Sequence, residues 1–331
     1  MPVRQGMPAS RLDHRDPGAH FLQDQARLGQ FPGSRSSKLL KGAFFNHYFT
    51  QYNEADWESP GGWDKEGVLA PPYLSFLPGN FHGTYNEIQV NSQTVLKLLS
   101  LNKQFYQTFG YEFSSTRLRL QPGVLRVVDG LAGEESILDL GCGNGEMARE
   151  LMRRGHRGPY TGVDFSPALL EIARHGWEDA PAAFVCIDLS NPNWDKKLVA
   201  TLTRPFDLVT AFATLHHIPG REMRLNILTK VRAMLRPGGR FIHSEWQFMS
   251  SEKLKDRIQP WKLAKLDPQE VEEGDFLLDW RSGGRGLRYV HLFSEEELEE
   301  LAASCRFRVR QTFLSDGTNG KLGLYQIWET A

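Results

Sequence analysis

The chain has 331 residues, 40% of them hydrophobic and 24% charged, a composition that excludes wholesale disorder and collagen and gives enough apolar residues for a real core. Lys and Arg total 39 against 40 Asp and Glu, a net charge of −1, so no global positive field draws the chain to nucleic acid and any such contact needs a local patch. Cys142, Cys186 and Cys305 are too widely spaced for a CxxC half-site; they read as reduced thiols, with no metal site expected.

The N-terminal MPVRQGMPASRLDHRDPG lacks the apolar core of a secretory signal. No stretch approaches the ~18 uncharged apolar residues of a membrane span, so the cytoplasm is the expected address. Residues 1–92 hold 18 Gly and Pro, and segments such as ESPGGWDKEG and APPYLSFLPGN read as consecutive turns. The expectation there is an N-terminal extension, either poorly ordered or a lid whose aromatics cover a downstream site, followed by one domain over 93–331.

From Thr94 the texture changes. TVLKLLSLNKQFYQTF places Val95, Leu98, Leu99, Leu101, Phe105 and Phe109 on one apolar helical face, and Pro122 opens a short second helix. Strands and amphipathic helices then alternate: ESILDLG, EMARELMRRG, YTGVDFS, PALLEIARHG, AFVCIDL, a short helix near KKLVATL, FDLVTAF, REMRLNILTKVRAML and GGRFIHSEWQF. Five strands with intervening helices imply an α/β fold, a doubly wound parallel sheet covered on both faces. After about residue 250 come a polar helical stretch, a hairpin around RSGGRG, a helix SEEELEELAASC and two last strands, FRVRQTFLSD and LGLYQIWE.

The first strand runs into Asp139-Leu140-Gly141-Cys142-Gly143-Asn144-Gly145, and a helix follows. Alternate glycines let the backbone turn tightly and approach a ligand, and the helix start offers free N–H groups. The spacing is GxGxG, not the GxGxxG of dinucleotide folds, so the helix-packing role of a third glycine is not expected; no Gly-Lys-Ser/Thr follows, so it is not a Walker loop. Asp139 sets a carboxylate beside the loop, which repels pyrophosphate and suits a ligand bearing an ammonium group, favouring S-adenosylmethionine (SAM) over NAD. Asp164 ends the second strand, placed to accept from ribose hydroxyls, and Asp188 ends the third, placed to accept from an adenine amine; Phe165 and Leu189 offer apolar faces to the purine. The expected cofactor set is Asp139, Gly141, Cys142, Gly143, Gly145, Asp164, Phe165, Asp188, Leu189 and Ala211, with Cys142 read as packing, not nucleophilic.

ILDLGCGNG, GVDFS, CIDL, FDLVTAFATLHHI and LRPGGRFI resemble, in order, the motifs of class I SAM-dependent methyltransferases over about 135–247. The resemblance implies a Rossmann-like sheet of seven strands whose last pair is antiparallel, with an insertion on the substrate side over 250–292. FYQTFGYEFSSTR, ATLHHI, LRYVHLFSEEELEEL and FLSDGTNGKLGLYQIW are similar to the tRNA wobble-uridine carboxymethyl O-methyltransferases. That likeness implies esterification of the carboxylate of 5-carboxymethyluridine, tRNA as partner, and the question of a small zinc-containing activator subunit, with which eukaryotic relatives work. The alternatives are a small-molecule O- or N-methyltransferase and a SAM-binding regulator without turnover.

A carboxylate acceptor is already ionised at pH 7 and needs no general base, but it does need cations. Arg281, Arg285, Arg288 and His291 follow Trp280 with no acid between them, and Arg117 and Arg119 precede the glycine loop; arginine forks suit carboxylate and phosphate. The opposite expectation is a solvated hairpin whose arginines pair with acids such as those in SEEELEE. His216 and His217 follow the fourth strand at the pocket edge, His216 as an acceptor-side candidate and His217 more as an orienter of its loop. Arg153, Arg154, His156 and Arg157 read as a solvated helix end or an RNA-facing edge. The catalytic candidates are therefore His216, Arg288, His291 and Arg117.

Overall fold

A computed structural model describes residues 90–115, 119–175, 182–199 and 205–330. The extension expected over 1–92 thus lies, up to residue 89, outside the described residues, as does Arg117.

Helix α1 (Ser92–Ser115) carries the apolar face read from its spacing, and α2 (Pro122–Asp129) starts at Pro122, whose missing N–H costs nothing in a first turn. The alternating part then runs β1 (Ile137–Leu140), α3 (Glu146–Arg153), β2 (Tyr160–Asp164), α4 (Pro167–Arg174), β3 (Ala182–Cys186), α5 (Lys196–Val199), β4 (Phe206–Phe212), α6 (Arg221–Met234) and β5 (Leu235–Trp246). A last segment adds α8 (Glu295–Ser304), β9 (Phe307–Ser315) and β10 (Gly323–Thr330). The seven strands pair in the order β3-β2-β1-β4-β5-β10-β9; the first five are parallel and β10 runs antiparallel to both its neighbours.

All four residues of β1 are buried, because helices cover both faces of the sheet. Leu138 and Leu140 pack on one side with Ile227, Leu228 and Val231 of α6 and Leu298 and Leu301 of α8. Ile137 packs on the other with Val124 and Val127 of α2, Met147 and Leu151 of α3 and Leu170 of α4. Each such side chain, fully buried, contributes about 1.5–3 kcal/mol. The winding reverses between β1 and β4, so the crevice for a ligand opens at the carboxyl ends of these two strands.

The segment after β5 differs from the sequence reading. The polar helix shrinks to α7 (Glu252–Lys255), and β6 (Ile258–Gln259), β7 (Asp275–Trp280) and β8 (Gly286–His291) form a separate antiparallel sheet. Pro260, Pro268 and Gly274 break helical continuity between β6 and β7. The expected hairpin around RSGGRG is the β7–β8 turn, and β8 packs against α1.

Candidate active site

The loop after β1 folds back on β2: Gly141 N–H and Cys142 N–H both donate to the Val163 carbonyl, at 2.8 and 3.0 Å. Gly141 has φ +72°, and a Cβ there would meet Thr214 Oγ1 at 2.3 Å, so only glycine serves. Gly145 has φ +80° and caps α3; a Cβ on it would stand 3.0 Å from the Ala173 Cβ of α4. The third glycine therefore does have a helix-packing role, contrary to the spacing argument, and it does not line the cavity. Cys142 rests against Gly162, and burial pushes its thiol well above the usual range, which fits a packing residue.

Three strand-tip carboxylates face the same cavity. Asp139 is 4% exposed; Tyr160 Oη donates to its Oδ2 at 2.6 Å and Thr210 Oγ1 to its Oδ1 at 2.7 Å. Burial pushes its carboxyl up to about 6, against those two hydroxyl bonds and with the Asp164 charge adding. Asp164 accepts from Gly143 N–H at 3.0 Å and from Ser166 N–H at 2.9 Å; burial raises it and the amides oppose that. Asp188 Oδ1 accepts from the Ser190 amide and hydroxyl, at 2.9 and 2.6 Å, and its Oδ2 meets Lys103 Nζ of α1 at 2.6 Å. An adenine amine reaching Asp188 must share that oxygen with Lys103.

The cavity has a volume of about 330 Å³, within the range of small-molecule sites. Gly141, Cys142, Gly143, Asp164, Phe165, Asp188 and Leu189 all line it. Ala211 does not: it is fully buried in the sheet core, and the wall there is made by Phe212, Ala213 and Thr214, one to three residues later. A second, more open groove of about 390 Å³ lies along the β9–β10 edge, lined by Gln247, Phe293, Glu295 and Leu314, away from the glycine loop and its carboxylates.

The far wall is cationic and aromatic. Arg288 of β8 is 3% exposed and lines the cavity; its guanidinium lies 4.6 Å from the Trp246 ring centre, 5.5 Å from Phe105 and 5.8 Å from Trp280. These aromatic rings orient the guanidinium fork in the cavity wall. Arg119 also lines the cavity, whereas Arg281 pairs with Asp279 at 2.7 Å and Arg285 is exposed. Arg153 and Arg154 pair with Glu150, and Arg157 with Glu134, as a solvated helix end would.

His216 is 2% exposed and lines the cavity. Its Nδ1 lies 3.1 Å from Glu245 Oε2 and its amide donates to the same oxygen at 3.1 Å. His217 works as an orienter: its Nδ1 donates to the Tyr289 carbonyl at 3.2 Å and its Nε2 accepts from Tyr106 Oη at 2.8 Å, tying the loop to β8 and α1. Asn102 of α1 completes this tie, donating to the Tyr289 carbonyl at 3.1 Å and accepting from its amide at 2.8 Å.

His291 is not brought to the cavity. It is 2% exposed, with Nδ1 2.7 Å from Asp275 Oδ1 and Nε2 3.0 Å from Glu297 Oε2. Glu272, Asp275 and His291 bring three potential ligand atoms within 4.8 Å of one another, but Arg224, 1% exposed, bonds Glu272 and Glu297 and supplies the positive charge itself. The cluster is an internal ion network beneath β8. Sequence reasoning missed Asn102, Lys103, Tyr106, Trp246 and Glu245; only Glu245 left a signal, an acid inside the buried strand FIHSEW.

A family model described as a methyltransferase domain matches residues 98–312. A putative methyltransferase of Encephalitozoon cuniculi is 30% identical over 208 residues, 62% of this chain and 86% of that protein. The tRNA (carboxymethyluridine(34)-5-O)-methyltransferase ALKBH8 of Macaca fascicularis is 30% identical over 173 residues, 51% of this chain but 23% of that protein. A ubiquinone biosynthesis O-methyltransferase of Histophilus somni is 28% identical over 129 residues, 39% of this chain and 50% of that one. Among the described residues no helix is long and apolar enough to cross a membrane.

Proposed function

Because the chain belongs to the methyltransferase domain family, we propose that it uses SAM, that its acceptor is a carboxylate, that of a tRNA wobble 5-carboxymethyluridine, and that its product is a methyl ester. The observation that carries this reading is Arg288, a desolvated guanidinium boxed by Trp246, Phe105 and Trp280 in the same cavity as the three strand-tip carboxylates. An arginine fork that lines the cavity matches the geometry of a carboxylate acceptor. The similarity to ALKBH8 supports the nucleoside identity of that anion.

The residues fit the donor. Asp164 and the Gly141–Gly143 backbone would hold its ribose and amino-acid moieties, Phe165, Ile187 and Leu189 its purine, and Asp139 its ammonium group, while Asp188 would take the adenine amine. SAM supplies an electrophilic methyl carbon to an in-line displacement, in which orientation is the protein's main contribution. Arg288 would hold the acceptor carboxylate by one oxygen and leave the other to attack, with no proton to remove. Trp246 and Phe105 keep water from the fork.

The test is to incubate the protein with methyl-labelled SAM and either bulk tRNA or a metabolite pool, then treat the products with mild alkali. Label on tRNA released by alkali is expected, since esters saponify. Label confined to metabolites, alkali-stable label, or no transfer at all would overturn the reading in favour of a small-molecule enzyme, a different bond, or a SAM-binding regulator.

A further inference from the structure

Glu245 is fully buried, and the basic groups within ion-pair distance of it among the described residues are two imidazoles. His243 Nδ1 lies 2.9 Å from Oε1, and the His216 amide and Nδ1 each lie 3.1 Å from Oε2. The familiar reading of such a pair is a carboxylate that receives an Nδ1–H and leaves Nε2 as a base. One contact contradicts it. The Trp246 amide also points at His216 Nδ1, at 3.3 Å. A backbone N–H can only donate, so Nδ1 must be the acceptor, and the proton between it and Glu245 must sit on the carboxyl.

We propose that Glu245 is a protonated positioning residue whose O–H, with the Trp246 amide, fixes His216 as the Nε2–H tautomer, so that His216 meets the acceptor as a hydrogen-bond donor and not as a base. Among the described residues, His243 and the burial of the carboxyl agree with this. His243, stacked 5.0 Å from Phe241 and edge-on 4.6 Å from Trp328, is pushed down to about 3 by burial and is neutral. Its Nδ1–H therefore donates to Oε1, and its Nε2 has no hydrogen-bond partner, as an unprotonated nitrogen in an apolar pocket tolerates. Burial raises Glu245 well above the carboxylate range; the more distant Glu297 charge adds to this, and the His216 amide and Arg224 only oppose it. Protonated, Glu245 faces the neutral His243 as a neutral group, which avoids the desolvation of a buried ion.

This deepens the carboxylate reading, on which it rests for the identity of the acceptor: a site that donates to its acceptor from Arg288 and from a His216 that is not a base suits an acceptor that is already an anion. The tautomer itself needs no acceptor to be measured. In ¹⁵N-histidine-labelled protein, long-range ¹H–¹⁵N correlation, with His216 assigned by its loss in His216→Gln, is expected to show a proton on Nε2 and a bare Nδ1 at pH 7. Glu245→Gln, whose amide can donate to Nδ1 but sets an NH2 where Oε2 accepts from the His216 N–H, is expected to keep that pattern, with methyl transfer lowered by no more than about tenfold and an unchanged pH profile. Glu245→Ala is expected to lose the pattern. A proton on Nδ1 or an imidazolium in the wild type, or a tautomer that flips in Glu245→Gln, would overturn the inference. If the tautomer holds while label never reaches a carboxylate, the acceptor reading fails and this one stands.

Discussion

On the donor side of the cavity, Asp139, Gly141, Cys142 and Gly143 fall within five residues, and Asp164 reaches Gly143 across 21. On the acceptor side, Asn102 bonds Tyr289 across 187 residues and Tyr106 bonds His217 across 111. The donor wall is built from backbone turns that a short string of glycines and aspartates dictates. The acceptor wall exists only once α1, the loop after β4 and the β6–β8 sheet have packed together. The first is robust to changes elsewhere in the chain; the second depends on the buried polar groups beneath it.

The largest effect should come from that support. Arg224→Ala leaves Glu272 and Glu297, 15% and 25% exposed, without their guanidinium. Urea unfolding is expected to lose about 3 kcal/mol, with SAM affinity of the folded protein unchanged. A loss under about 1 kcal/mol would mean the network is ornamental. Arg288→Ala should lower kcat/KM for the anionic acceptor about 100-fold, about 2.7 kcal/mol, while SAM affinity stays within about twofold. Equal losses in both would dissolve the distinction between the two walls.

The donor wall has its own signature in pH. Asp139 titrates near 6 in the free protein, raised from its unfolded value, so its protonated form is the one the fold favours and ionising it costs stability as pH rises through that point. A cationic ligand favours the ionised form. SAM affinity should therefore rise by about tenfold between pH 5 and 7 and level off above, and Asp139→Asn should flatten that dependence. The smallest effect belongs to the partly exposed Lys103–Asp188 pair, 32% and 30% exposed: Lys103→Ala should change SAM affinity less than about fivefold, because such pairs contribute about 0–1 kcal/mol.

The sheet was legible because β1 to β4 are short, mostly apolar runs, and the helices between them keep a 3.6-residue apolar face. The carboxylates were legible because they lie close to strand ends, Asp139 last but one in β1 and Asp164 last in β2, although Asp188 stands two residues beyond β3 and does not end it as the sequence suggested. Ala211 was misplaced by one to three residues: it lies inside β4, whose end is tied down by Thr214, with its hydroxyl on the Leu140 and Phe212 carbonyls. Gly145 escaped because helix packing against Ala173 is a tertiary fact. Arg288 and His291 are three residues apart on one short strand, so once β8 is recognised they point to opposite faces, and burial then shows which faces the cavity and which faces Asp275 and Glu297.

Calorimetric titration of SAM into the full chain, beside the Asp164→Ala variant, tests the whole account most directly. One saturable site in the wild type and a loss of about 100-fold or more in the variant, about 2.7 kcal/mol, is the expected result. No heat in the wild type, or the same isotherm in both, would contradict it.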